Sequence, residues 1–494
     1  PRARVKTIKM SAFYTEIAAK ITVPYKRLSV LTNTDGFLSK QEVQRALTAE
    51  TGLLFVSGSP MQLRLHFELD YKDAPKTRFC YICDNPALLL PDIREAAHVT
   101  NFMLAEMFPN ISDRKTLAAQ SPTVLEALFA KKLQGNITAS DLAHHLLEIE
   151  YGARLSEKSE TDAVEMLAAL EPNWADLTGS VEAVSAGVLA AARQDKYDEA
   201  SKELERLNNG FQAYVDQNYF AALNSSYVLG PKSVNKILPY LSLKHSLDDK
   251  VALLVVDGMA YWQYLVLQEQ LNLLGVPHSP SSIFAWIPTV TMLSRQAIFR
   301  GDDPLLSYKQ NPGSEEKLWS AWWTAKGVPS SDIQYIYGES DVEVWSTTRR
   351  LALVTVVLDE VMHISEYPDM LLACTQAWAW KFAKQILSLH DAGFSVYITT
   401  DHGNVQATGS GLLSSAEKTH LFADGSRGAR HLIYDAPAPM QEFLSAHDAS
   451  EYLVHDNWLA YRDVLAFLRP GKHQITHGGS HLLEVAIPFI EISL

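Results

Sequence analysis

The sequence predicts an α/β fold in which a mostly parallel sheet is flanked by helices, preceded by a small α/β module and a helical region. Three observations lead there. In the C-terminal half, short apolar runs (VALLVV, ALVTVVL, FSVYITT, VAIPFIEI) alternate with helical patterns such as YWQYLVLQEQLNLLG, the alternation that builds a parallel sheet with crossover helices. From about residue 106 to 240, apolar residues recur at spacings of three and four, as on one face of a helix. Before that, strand-like TGLLFVS and RFCYICD are mixed with short helical stretches.

Length and composition fit this division. At 494 residues the chain exceeds a single ordinary core, and we divide it into a module at 1–105, a helical domain at 106–240 and a third domain at 241–494. Hydrophobic residues at 47% and charged residues at 20% are an ordinary globular balance. A net charge of −14 argues against a basic domain that coats nucleic acid, although it leaves a local cationic or metal-based phosphate site open. The opening PRARVKTIKM is basic, but no apolar segment of signal-peptide or membrane-spanning type follows it. With only three cysteines the expectation is a reduced, cytoplasmic protein without membrane contact.

In the first module, Cys80 and Cys83 form a C-x-x-C inside a strand-like run. An offset of three points their side chains to opposite faces, and no second pair exists to complete a zinc site, so both read as packing residues. LTNTDGFLSKQEV resembles half a calcium-binding loop, but Leu31 stands where the first ligand belongs. The better reading is a turn at Asp35–Gly36, with Ser39 and Glu42 as a capping box for the helix QEVQRALTAE. In the helical stretch, VEAVSAGVLAAARQDKYDEASKELERL reads as one long helix, and the pair His144–His145 lacks a carboxylate or cysteine at a ligand-like offset.

The third domain carries the chemistry. No G-x-x-x-x-G-K-[ST] is present, and the lone Gly409-Ser410-Gly411 lacks a preceding strand and a third glycine. Ligands of α/β sheets gather at the carboxyl ends of strands. There VALLVV runs into Asp257, VTVVL into Asp359 and VYITT into Asp401-His402-Gly403. Three aspartates converging on one sheet edge would repel each other unless cations lay among them. His363 follows Asp359 at four residues, on the same face if the chain turns helical. His477, before two glycines, completes a second site.

Taken singly, each residue reads more readily as a turn, a surface pair or a buried histidine; the ordered set is what carries weight. Between the first aspartate and the rest, Pro288 and Thr291 open a helical run whose N-terminus favours a phosphate. Thr291 is then a candidate nucleophile with Thr289 as its rival, and Arg295 either steadies a phosphoryl oxygen or forms a surface ion pair.

This ordered set resembles the alkaline phosphatase superfamily. Within it, VVDGMAYWQY, IPTVTMLSRQAIFRG, ITTDHGN and THGGSHLLEVAIPFI resemble the PglZ family, the phosphatase-like component of BREX phage-defence systems, over residues 245–494. The resemblance implies an alkaline-phosphatase-like domain with two divalent ions, Zn2+ or Mn2+: one held by Asp257, Thr291, Asp401 and His402, the other by Asp359, His363 and His477. It also favours Thr291 over Thr289 as the nucleophile that attacks a phosphate ester in line, giving a phosphothreonine that water then hydrolyses. The implied substrate is a phosphate ester, nucleotide or nucleic acid among the options, and the implied partners are other BREX proteins. The alternative is a scaffold subunit whose metal site is structural or regulatory.

Overall fold

The computed structural model describes residues 11–139, 141–143, 145–146, 149, 161–338, 343–365, 368–422 and 428–492. The basic PRARVKTIKM and His144 lie outside them. The chain forms two compact units, 1–160 and 161–494, so the sequence boundaries near 105 and 240 fall within units.

The first unit contains a four-stranded, all-parallel sheet of β1 (Leu28–Asn33), β2 (Leu53–Ser57), β3 (Arg78–Ile82) and β4 (Ala97–Phe102), in the order β2-β3-β1-β4. Alternate residues feed two cores. Leu31, Cys80 and Ile82 pack with the helices Ala12–Ile21 and Gln41–Thr51, whereas Val30, Tyr81 and Cys83 pack with Leu63, Phe67 and Ile93. Cys80 and Cys83 are thus buried on opposite faces, each a free thiol.

The turn at Asp35–Gly36 forms, with Gly36 at φ 73°, but the expected capping box does not. Lys40 is the N-cap residue of the helix, without a side-chain cap, and the Ser39 hydroxyl instead accepts from Asn33 Nδ2 at 2.8 Å. Proximity to the turn wins over the local cap.

The second unit is built on a six-stranded sheet of β5 (Val251–Val256), β6 (Ser279–Phe284), β7 (Ile333–Tyr337), β8 (Arg350–Thr355), β9 (Ser395–Thr399) and β16 (Ala486–Ile492), in the order β6-β16-β9-β5-β8-β7. The run β9-β5-β8-β7 is parallel, and β16 is antiparallel to both its neighbours. β5 is buried along its whole length, with odd and even residues serving opposite faces. Ala252, Leu254 and Val256 meet the helices Tyr261–Leu273 and Pro368–Asp391, while Val251, Leu253 and Val255 meet Ile298, Phe299, Trp319 and Trp323. The result is a helix–sheet–helix sandwich.

The helical stretch N-terminal to β5 shares the first of these cores, through Val184, Val188, Phe211 and Tyr219. Its long helix is two helices, Leu177–Arg193 and Tyr197–Leu223. Asp195 adopts a left-handed φ of 56°, and the Lys196 N–H closes back on the Ala191 carbonyl, ending the first helix although the apolar period runs on.

After β9 the chain forms β10 (Val405–Gly409), which does run into Gly409 against expectation, β11 (His431–Ile433), β12 (Tyr452–His455), β13 (Trp458–Tyr461), β14 (Leu465–Ala466) and β15 (His473–Thr476), arranged in two small sheets, β14-β10-β15 and β11-β13-β12. Among the described residues, no helix is long and apolar enough to cross a membrane.

Candidate metal centre

Asp257 follows β5 directly, and Asp401 stands two residues beyond β9, its parallel neighbour. Asp359 does not end a strand as the apolar run suggested. β8 stops at Thr355, and Asp359 lies in the first turn of the helix Val357–Ile364, with His363 one turn on. That helix supplies the geometry the four-residue spacing required. His477 leaves β15, and Thr291 is the first residue of the helix Thr291–Arg300.

Side-chain atoms of these residues form two groups that could each hold a metal ion, Asp257–Asp401–His402 and Asp359–His402–His477, the candidate atoms of each lying within 4.8 Å of one another. His402 belongs to both. Its Nε2 faces the Thr291 hydroxyl at 3.1 Å and lies 3.7 Å from both Asp257 Oδ1 and Asp401 Oδ2. The His402 and His477 rings stack at 3.8 Å between centroids. His363 falls in neither group: its Nε2 lies 3.3 Å from Asp359 Oδ2, and its side chain is 45% exposed at the rim.

Each aspartate has one oxygen held and one left over. Asp257 Oδ2 accepts from Arg295 Nη1 at 2.5 Å; Asp401 Oδ1 accepts from the backbone N–H groups of His402 at 3.1 Å and Gly258 at 3.3 Å; Asp359 Oδ2 faces His363. Asp257 Oδ1, Asp401 Oδ2 and Asp359 Oδ1 are buried without a hydrogen-bond partner. An unpaired buried polar atom costs about 1–3 kcal/mol, more when charged, so three in one place call for a cation.

The histidines are prepared in the same sense. Nδ1 of His402 points at the Gly403 carbonyl at 3.0 Å and Nδ1 of His477 at the Thr289 carbonyl at 2.7 Å, which places the proton on Nδ1 and leaves Nε2 with its lone pair. Carboxylate oxygens and imidazole nitrogens in this number suit Zn2+ or Mn2+.

Electrostatics agree. Burial, and then the neighbouring Asp401, push the Asp257 carboxyl well above its usual range. Burial would also raise Asp359, but the hydrogen bond with His363 and the fields of His402 and His477 prevail and bring it down to about 2. The same bond raises His363, whereas burial, with His402 beside it, drives His477 well below its ordinary value. A buried Asp257 carboxyl pushed towards its neutral form is the situation a divalent ion reverses.

The two threonines part company. Thr289 is fully buried, donating to the Gly479 carbonyl and accepting from the Gly478 N–H, both at 2.9 Å. It ties the His477 loop to the helix start. Thr291 instead turns its hydroxyl towards His402. Arg295 is not at the surface. It is 4% exposed, with Nη1 on Asp257 and Nε on Glu315 at 2.7 Å.

Several supporting residues have no signature near the ligands. Glu315, on the helix Pro312–Ala325, is fully buried; its spacing to Trp319 and Trp323 puts it on the apolar stripe of that helix, the one signal that could have found it. Arg430 and Glu484 form a fully buried ion pair at 3.0 Å, and Glu484 accepts from the Gly479 N–H at 3.0 Å. From the helix Tyr197–Leu223, Gln212 donates to the Ser480 carbonyl at 2.7 Å, Asn208 accepts from the Leu482 N–H at 2.9 Å and the Tyr219 hydroxyl accepts from the Ile287 N–H at 2.7 Å. A side chain at Gly403 would lie 2.0 Å from the Leu483 carbonyl oxygen, so that turn admits only glycine.

Residues 241–492 match the family model of the BREX system PglZ alkaline phosphatase-like domain. No curated protein matches the chain. Similar solved structures include murine ectonucleotide pyrophosphatase/phosphodiesterase 5, at 13% identity and a TM-score of 0.34, covering 50% of this chain and 88% of that one. They also include phosphonoacetate hydrolase from Sinorhizobium meliloti 1021 in complex with phosphonoacetate, at 12% identity and a TM-score of 0.34, covering 50% and 90% respectively.

Proposed function

The chain belongs to the PglZ family, with the alkaline-phosphatase-like fold of that BREX domain, and from that membership we propose that it is a two-metal phosphoesterase with Thr291 as nucleophile. One observation carries the reading: three aspartates, each with a buried oxygen that has no partner, group with two histidines whose Nδ1 protons are held elsewhere. In this reading Asp257, Thr291, Asp401 and His402 hold one ion, and Asp359, His363 and His477 the other.

Two divalent ions, Zn2+ or Mn2+, would lower the pKa of the Thr291 hydroxyl and offset negative charge on the phosphoryl oxygens. Thr291, at the first position of its helix, presents its oxygen beside the helix N-terminus, where the dipole favours the phosphate. Its Oγ bonds to phosphorus as the ester oxygen departs, leaving a phosphothreonine that water cleaves. Thr289 keeps the His477 loop against the helix start, and Arg295 holds one oxygen of Asp257 so that the other stays available. His363 would turn from Asp359 to its ion from the exposed rim.

The substrate is a phosphate ester, with nucleotides and nucleic acids among the candidates, and the setting is bacterial antiphage defence in the cytoplasm alongside other BREX proteins. As a domain scheme, 1–105, 106–240 and 241–494 remain our division by sequence character. The deciding experiment combines metal analysis of the purified protein with hydrolysis of p-nitrophenyl mono- and diesters in Zn2+ or Mn2+, by the wild type and Thr291→Ala. Metal near two equivalents, with turnover lost in the variant, supports the reading. Unchanged turnover in Thr291→Ala removes the nucleophile, and a wild type without metal or activity removes the enzyme.

A further inference from the structure

Glu315 lies in the first turn of the helix Pro312–Ala325, where an acid usually favours the helix dipole from the surface. The structure buries it completely. Its Oε1 accepts from Arg295 Nε at 2.7 Å and from Gln310 Nε2, and its Oε2 accepts from the Tyr335 hydroxyl of β7 at 2.6 Å. A carboxylate withdrawn from water with donors on both oxygens is fixed in place. Arg295 is fixed with it, because its planar fork spans two carboxylates, Nε on Glu315 and Nη1 on Asp257 Oδ2.

We propose that Glu315 is a positioning residue of the metal centre, acting through Arg295 to hold Asp257 in the pose that receives an ion together with Asp401 and His402. The proposal rests on the two-metal reading above. Two effects work in the same direction. By taking Nε, Glu315 stops the guanidinium from turning both terminal nitrogens onto Asp257, which would cover Oδ1, the oxygen without a partner. By its charge it offsets that of Arg295, which would otherwise repel a cation one carboxylate away. Partners that orient metal ligands in this way typically govern affinity by about 10- to 100-fold. Among the contacts described, the Asp359–His477 side meets this relay only through the shared His402, so its affinity depends less on Glu315.

The test titrates Zn2+ into the metal-free full chain in competition with a chromophoric chelator, for the wild type, Glu315→Gln and Tyr335→Phe. The expected result is two sites in the wild type and, in Glu315→Gln, one site weakened by roughly 10- to 100-fold with the other changed less. Turnover of a p-nitrophenyl ester by Glu315→Gln recovers at saturating Zn2+ without a change in KM. Tyr335→Phe, which removes one hydrogen bond from the relay, weakens the same site by less. Wild-type affinities at both sites in Glu315→Gln, whatever its melting temperature, overturn the proposal alone. If Glu315→Gln does not fold, unchanged affinities in Tyr335→Phe overturn it. A wild type that binds neither Zn2+ nor Mn2+ defeats the two-metal reading and this proposal together.

Discussion

Both compact units place an aspartate at the carboxyl end of a central parallel strand, and the two aspartates live differently. Asp35, beyond β1 in the first unit, has both oxygens engaged: Oδ1 accepts from the Phe37 N–H at 3.1 Å and Oδ2 from the Leu104 N–H at 2.5 Å. Asp257, beyond β5 in the second, gives one oxygen to Arg295 and keeps the other bare. Strand-end position alone therefore does not make a ligand. What separates a structural carboxylate from a candidate ligand is whether the protein itself uses up its lone pairs.

The comparison can be broken most decisively at the chemistry. Thr291→Ala is expected to cut ester turnover by roughly 10³-fold or more with little change in melting temperature. Thr289→Ala should instead lower the unfolding free energy by about 1–3 kcal/mol, since it leaves the Gly478 N–H and Gly479 carbonyl short of a partner. Parallel steady-state kinetics and thermal melts check both. A Thr289→Ala protein that is stable but inactive would reverse the assignment.

Next in size is metal removal. Chelation should lower the unfolding free energy of the wild type by about 2.7 kcal/mol for each of its two sites, relative to protein with free ion at 100 times Kd, and that of Asp401→Asn only by the share of the Asp359–His477 site. Without metal, Asp401→Asn should be at least as stable as the wild type, because it removes a charge that repels Asp257. Asp35→Asn should behave in the opposite way. Its amide would face the Leu104 N–H donor to donor, costing about 1–3 kcal/mol with or without metal, while turnover stays at the wild-type level. Urea melts with and without chelator distinguish the two patterns, and equal responses would erase the contrast.

A further effect appears only in acid. His481 is buried, its Nδ1 accepts from the Leu483 N–H at 3.1 Å, and burial together with Arg430 takes its pKa from 6.5 to about 3. The unfolded chain therefore binds a proton that the native state refuses. The stability that neutral His481 contributes is complete above pH 6.5 and is lost progressively as pH falls towards 3. His481→Gln, melted without metal, should show a flatter decline between these limits. A decline of unchanged slope would place the acid sensitivity elsewhere.

Much of the second unit was legible because strand ends and buried apolar runs are local signals. Asp257, the Asp401-His402-Gly403 turn and His477 stand where those signals put them. Asp359 was shifted from strand to helix because Val356, Val357 and Leu358 continue an apolar run past the last sheet pairing at Thr355. The capping box at Ser39 lost to a turn contact that the pattern could not rank. The break at Asp195 was hidden because the apolar period runs across it. The Arg295–Glu315 and Arg430–Glu484 pairs were invisible for a simpler reason: each joins two separate elements, and no periodicity encodes a contact made only on folding.

The helix Tyr197–Leu223 sets a limit on how the protein can be cut. The family match begins at residue 241, a natural place to start a fragment for expression. Such a fragment would leave behind Asn208, Gln212 and Tyr219, which satisfy the backbone at Leu482, Ser480 and Ile287 on the two loops that carry His477 and Thr291. It would keep every candidate ligand and lose the clamp that fixes their spacing. A fragment beginning at Thr161, where the second compact unit starts, retains that clamp.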